Sequence, residues 1–153
     1  MNASALQLKQ YIVTELSLSA NRKFDLEKDV HFSVPDVVGE PICTPDEKNG
    51  REWQIVLKLK HSQSVESNSP YFFMIEIVGL FSVDKSVLEE KIPEFVRVNG
   101  ASVLYSSARE ILRSTMTMGP YLPILLPTIS FCDSKSSTIE KKLLKPRKKA
   151  RYG

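Results

Sequence analysis

The chain has 153 residues, 42% of them hydrophobic and 25% charged, with a formal net charge of +3 at pH 7. This is the composition of one ordinary globular domain, long enough to build a core without disulfides or metals. Its apolar runs are too short or too interrupted by proline to cross a membrane, which takes about 20 residues. No basic leader with a following apolar stretch is visible, and two widely spaced cysteines suit a reducing compartment, so we expect a cytoplasmic protein.

Alternating apolar and polar side chains predict strands in the first part of the chain. Residues 11–20 and residues 30–34 both show the two-residue period of a half-buried strand. The stretch 35–50 holds three prolines and two glycines and predicts a loop, which closes on the turn pair Asn49-Gly50.

Two further strands follow. Apolar side chains alternate with polar ones from residue 53 to residue 60, which predicts a third strand. Residues 71–83 are apolar on both faces apart from Glu76 and Ser82. An antiparallel strand with one face in water alternates more cleanly, so we expect this fourth strand to be covered by helices on one side and by another subunit on the other.

Helical spacing begins after the fourth strand. Ser86 and Glu89 form a capping-box pattern, Pro93 is expected to interrupt the helix, and the Asn-Gly pair at 99–100 to end it or make a turn. The apolar spacing of residues 101–117 predicts a helix.

The helix is followed by residues 118–131, "MGPYLPILLPTISF", which we call the proline segment. Its three prolines exclude a regular helix or a central strand, yet most of its side chains are apolar. Residues 137–145 predict a short amphipathic helix.

The charge distribution suggests a division at residue 134. Residues 134–153 carry eight basic side chains and one acidic one, whereas the rest carries 13 basic and 17 acidic ones. We expect a domain over residues 1–133 and a basic, flexible C-terminal tail over residues 134–153. Basic tails bind nucleic acids in some proteins, so a nucleic-acid-binding adaptor is the alternative function of another class, although a solvated tail is the simpler interpretation.

Catalytic and metal-binding patterns are absent from the sequence. His31 and His61 occupy polar positions of predicted strands, where we expect them to face solvent, and neither Cys43 nor Cys132 has a histidine beside it. No glycine-rich phosphate loop and no metal-ligand spacing occurs. We therefore expect a protein that is not an enzyme and that uses no cofactor or metal.

The order of these elements, together with "IEIVGLFSV" at 75–83 and "ARE" at 108–110, resembles the SecB protein-export chaperone family. The proline segment adds a glycine, an aromatic residue and a final P-x-[IV]-x-F pattern, here Gly119, Tyr121, Pro127, Ile129 and Phe131. The likeness runs from about residue 8 to residue 131.

The resemblance implies an α+β fold: a four-stranded antiparallel sheet, one long helix kinked or broken near 93–100, and a short C-terminal helix. It also implies an ATP-independent holdase that assembles as a tetramer, a dimer of dimers, and binds unfolded preproteins in apolar grooves during export. The client-binding residues expected here are Phe32, Val34, Tyr105, Tyr121, Leu122, Ile124, Leu125, Leu126, Ile129 and Phe131.

Members of the family also dock the SecA export motor through an acidic patch on the sheet. The matching positions here are Glu15, Met74 and Glu76, while Ser19 stands where an acidic residue is usual. Some relatives are instead chaperones dedicated to an antitoxin of a toxin–antitoxin system, and the sequence leaves both roles open.

Overall fold

The structure, a computed structural model, describes residues 1–30, 34–62 and 68–132. Its elements follow one another as β1 (Leu6–Ala20), α1 (Val34–Val37), β2 (Ile42–Pro45), β3 (Glu52–His61), β4 (Tyr71–Val83) and α2 (Ile92–Met116). The strands form one antiparallel sheet in the order β1-β4-β3-β2. The fold predicted by the family resemblance, a four-stranded antiparallel sheet followed by one long helix, is therefore confirmed. The predicted short helix at 137–145 lies outside the described residues.

Helix α2 packs across one face of the sheet, which we call the helix face. The odd-numbered residues of β3 and β4, from Ile55 to Leu59 and from Tyr71 to Val83, point to this side and form the core with the buried residues of α2. Gly100 permits the close approach, because a Cβ there would lie 2.1 Å from Cδ1 of Ile55. The opposite side of the sheet, which we call the open face, carries no described helix.

The predicted interruption of α2 near 93–100 is wrong, because the helix runs without a break from Ile92 to Met116. Pro93 lies in its first turn, where a missing N–H leaves no helical hydrogen bond unmade. The predicted capping box does not form either: a short 3-10 turn at Glu89–Lys91 precedes the helix, without a side-chain cap.

Residues 31–33 of the strand predicted at 30–34 lie outside the described residues, and Val34 belongs to the single helical turn α1 (Val34–Val37). The stretch 35–50 was predicted to be a loop, but it contains the short strand β2 at Ile42–Pro45. Strand β2 is a short edge strand paired only with β3, and an edge position tolerates its proline. The turn predicted at Asn49-Gly50 is confirmed in the connection from β2 to β3.

Candidate functional site

The proline segment is anchored to the sheet at its beginning. The hydroxyl of Tyr71 accepts a hydrogen bond from the backbone N–H of Tyr121 and donates to the carbonyl of Tyr121, each at 2.8 Å. Gly119 makes room for this contact, since a Cβ at that position would lie 2.4 Å from the Tyr71 hydroxyl oxygen. The rings of Tyr71 and Tyr121 also meet edge to face, 5.8 Å apart.

Side chains of α2 hold the rest of the proline segment by its carbonyl groups. Tyr105 donates to the carbonyl of Pro127, Arg109 to the carbonyl of Leu126 and the hydroxyl of Thr128, and Arg97 to the carbonyl of Phe131. The contacts move toward the N-terminus of α2 as the segment proceeds. The prolines remove backbone donors, so an extended chain lies along the helix without pairing as a strand.

Two of these hydrogen-bond donors, Tyr105 and Arg97, have raised pKa values that keep them protonated. Burial raises the pKa of the Tyr105 phenol, and the guanidinium of Arg109, 5.9 Å from the ring centroid, opposes that shift. Arg97 makes two hydrogen bonds to the Glu94 carboxylate, at 2.8 and 3.1 Å, and these bonds raise the pKa of its guanidinium. At neutral pH, both groups therefore remain protonated and bound to the segment.

The predicted client-binding residues divide by burial. Tyr105, Ile124, Leu126 and Phe131 are buried in the core, and Tyr121 and Ile129 are half-buried against it. Leu122 and Leu125 are exposed, with relative residue exposures of 87% and 66%.

Two predicted client-binding residues precede α2. Phe32 lies outside the described residues, and for Val34 the structure describes only the backbone, at the start of α1. Met118, at 83% exposure, adds a further apolar side chain at the beginning of the proline segment. Met118 is not among the client-binding residues expected from the family resemblance, although it directly precedes the glycine that ends the helical pattern.

The predicted docking residues lie together on the open face. Glu15 of β1 is directly paired with Glu76 of β4, and Met74 follows on the same side of β4. Both carboxylates have cationic or polar neighbours: Glu76 accepts a hydrogen bond from the Thr14 hydroxyl at 2.8 Å, and Glu15 lies 3.9 Å from the ammonium of Lys58. Lys58 therefore offsets part of the negative charge that the two glutamates bring to the patch.

An apolar row crosses the same open face. Ile12, Val78, Val56 and Ile42 are successive cross-strand neighbours on the four strands. Ile12 and Ile42 at its two ends are 50% and 63% exposed. Single-strand patterns did not reveal this row, because its members come together only through the register of the sheet.

Strand β1 forms an edge of the sheet that is unusually open to solvent. It has 15 residues and pairs with β4 on one side. Tyr11, Val13 and Leu16 point to the helix face, yet all three are exposed. A long edge strand with exposed apolar side chains offers unpaired backbone groups and apolar surface with which another chain can pair.

His61 departs from its predicted environment. It pairs with Phe73 on the helix face and is buried, not solvent-facing as expected. Burial lowers the pKa of its imidazole from the ordinary value of 6.5. His31 lies outside the described residues.

Comparisons with known proteins agree with this architecture. The model of the family described as "Preprotein translocase subunit SecB" matches residues 2–134. Among solved structures, the chain is similar to the Mycobacterium tuberculosis Rv1957 SecB-like chaperone in complex with a ChAD peptide from the Rv1956 HigA1 antitoxin, with 15% sequence identity and a TM-score of 0.60. That likeness covers 82% of this chain and 91% of the other. No curated protein sequence matches the chain, and no helix among the described residues is long and apolar enough to cross a membrane.

Proposed function

Because the chain belongs to the SecB family, we propose that it is an ATP-independent holdase that binds non-native polypeptides and catalyses no reaction. The observation that carries this proposal is the exposure of Leu122 and Leu125 on a backbone held in place by α2. Exposed aliphatic side chains gain about 25 cal/mol for each Å² that a client covers, with little demand on its sequence. A rigid, extended backbone pays little ordering entropy when the client binds.

We further propose that the holdase is a cytoplasmic homo-oligomer, a tetramer built as a dimer of dimers. The support is β1, whose edge and exposed helix-face side chains Tyr11, Val13 and Leu16 offer an area for a second copy. Repeated weak contacts on a symmetric assembly add through avidity, so an oligomer holds a long unfolded client better than a monomer does.

Two classes of client fit the proposed holdase: unfolded preproteins in export, and an antitoxin of a toxin–antitoxin system. Export requires docking to the SecA motor, for which Glu15, Met74 and Glu76 form the candidate surface. Lys58 and Lys60 share the open face with these residues, and Ser19 supplies no charge. The reduced acidity favours the antitoxin role, and the similar mycobacterial chaperone was solved with an antitoxin peptide.

The holdase proposal is tested by diluting a chemically denatured client into buffer with and without the protein and following light scattering. We expect the protein to suppress scattering equally in the presence and absence of ATP. Unchanged scattering at a several-fold molar excess of protein would contradict the proposal. Parallel binding measurements with purified SecA and with an antitoxin peptide separate the two client classes.

A further inference from the structure

A groove of about 540 Å³ opens between the edge strand β2 and the first turns of α2. Much of its lining is apolar, with the indole of Trp53 and the rings of Pro41, Pro45 and Pro93. Glu90 and Glu94 also line it, and Glu40 lies close enough to raise the pKa of Arg97, which is the one basic side chain among the lining residues described. The groove therefore combines apolar rings with an excess of negative charge.

The proline segment leads into this groove. The segment passes from the end of α2, where the Tyr71 hydroxyl contacts both Met116 and Tyr121, to Arg97, which binds the carbonyl of Phe131. The ten residue steps from Tyr121 to Phe131 span roughly 33 Å when extended, and the 19 residue steps along α2 from Arg97 to Met116 span about 28 Å. The proline segment therefore runs nearly straight along α2. Arg97 itself lines the groove, so the chain beyond Phe131 leaves the described structure at the groove's entrance.

The sequence beyond this point complements the groove. Residues 135–145 contain lysines at four positions and one acidic residue, together with Ile139, Leu143 and Leu144. Glu94 and Glu90 lie one and two helical turns beyond Arg97, about 10 Å in all, which three or four extended residues cover. A tail of 20 residues is thus long enough to enter the groove and fold back within it.

We propose that residues 135–145 of this same chain occupy the groove. The lysines lie against Glu40, Glu90 and Glu94, and the apolar side chains cover Trp53 and the prolines. Tethering at Phe131 gives the tail an effective concentration in the millimolar range, so modest contacts suffice. This docking does not depend on the holdase activity, and the two are tested separately.

The test uses Trp53, which is the only tryptophan of the chain. Acrylamide quenching of its fluorescence measures access to the groove, and because acrylamide is uncharged, the charge of a variant does not alter its approach. The full-length protein is compared with the Lys141→Glu/Lys142→Glu variant and with Glu90→Lys. The control is Lys23→Glu/Lys60→Glu, which makes the same charge change at exposed positions near the other end of the sheet.

We expect the Lys141→Glu/Lys142→Glu variant to lower the ratio of docked to undocked tail by about ten-fold, since each exposed ion pair contributes up to about 1 kcal/mol. Trp53 then becomes more accessible to acrylamide in this variant and in Glu90→Lys, but not in the control. Salt at 0.5 M should produce the same change in the unaltered protein.

Equal quenching of all four proteins would overturn the proposal. So would a difference that disappears on dilution, because the groove would then hold the tail of a second copy. No client is present in the quenching experiment, so a negative result leaves the holdase proposal standing. A positive result is equally possible for a protein that has no holdase activity.

Discussion

The hydroxyl of Tyr71 binds both backbone polar groups of Tyr121, 50 residues further along the chain, and so joins β4 to the start of the proline segment. This contact fixes where the segment leaves α2, and Arg109, Tyr105 and Arg97 then hold its carbonyl groups. Leu122 and Leu125 are therefore presented to solvent by a backbone that is constrained at both ends.

Replacing Tyr71 with phenylalanine tests this anchor. The change removes the hydroxyl and leaves the Tyr121 N–H without its partner, so we expect the free energy of unfolding to fall by about 1–3 kcal/mol. Urea denaturation followed by circular dichroism measures the difference. The control is Ser106→Ala, which removes a hydroxyl from an exposed position of α2 and should change the stability by less than about 0.5 kcal/mol. Equal stability of both variants would mean that the Tyr71 hydroxyl does not anchor the segment.

The burial of His61 predicts a pH dependence of stability. Its pKa in the folded protein lies below the ordinary value of 6.5, so the unfolded chain binds the proton more tightly. Stability from this group is complete above pH 6.5 and falls as the pH drops from 6.5 toward the lowered folded pKa. In His61→Gln, the decrease in unfolding free energy that this imidazole causes below pH 6.5 should disappear. Urea midpoints measured at half-unit steps from pH 7.5 to pH 5 supply the comparison, and parallel slopes for the two proteins would refute the assignment.

The proposed assembly through β1 predicts that one face of the strand is sensitive to substitution. Val13→Lys/Leu16→Lys places two charges on the helix face and should reduce the assembly to smaller species. Gln10→Lys/Ser17→Lys adds the same charge on the open face of the same strand and should leave the mass unchanged. Light scattering coupled to size-exclusion chromatography measures both. If the helix-face variant keeps the mass of the unaltered protein, β1 is not the interface.

Charge reversal on the open face tests motor docking separately from client binding. Glu76→Lys should weaken binding to purified SecA, because it removes the carboxylate held by Thr14, while suppression of aggregation stays unchanged. Isothermal titration calorimetry gives the affinity, with Glu27→Lys as a control at an exposed site away from the sheet. An unchanged affinity, or no measurable binding by the unaltered protein, would argue against the export role.

The long periodic elements were predictable from the sequence, whereas the short ones were not. Strand β3 and the second half of α2 show their period over many residues, β4 is a continuous apolar run of 13 residues, and the structure confirms all three. Strand β2 has only four residues, two of them threonine and proline, and it exists because the turn at Asn49-Gly50 brings it against β3. A strand of four residues is too short to be identified from an alternation of apolar and polar side chains.

Burial of individual side chains was harder to predict than the elements that carry them. His61 continues the odd-numbered series of Ile55, Leu57 and Leu59, and that period was the signal for its burial. In the proline segment, Ile124 and Leu125 are equally apolar, yet only Ile124 is buried. The contacts with α2 decide which side faces the core, and these contacts are long-range.

The central claim, that the exposed side chains of the proline segment bind clients, is tested most directly by Leu122→Asp/Leu125→Asp in the scattering assay. The matched control is Ile42→Asp/Leu88→Asp, which makes the same change at two exposed apolar positions outside the segment. Neither variant should lose more than about 0.5 kcal/mol of stability, whereas Ile124→Asp should be strongly destabilised because its side chain is buried.

Burying one leucine is worth roughly 1.5–3 kcal/mol, so we expect the affinity of the segment variant for a denatured client to fall by about ten-fold or more, while the control suppresses aggregation like the unaltered protein. Full suppression of aggregation by a folded Leu122→Asp/Leu125→Asp protein would contradict the account.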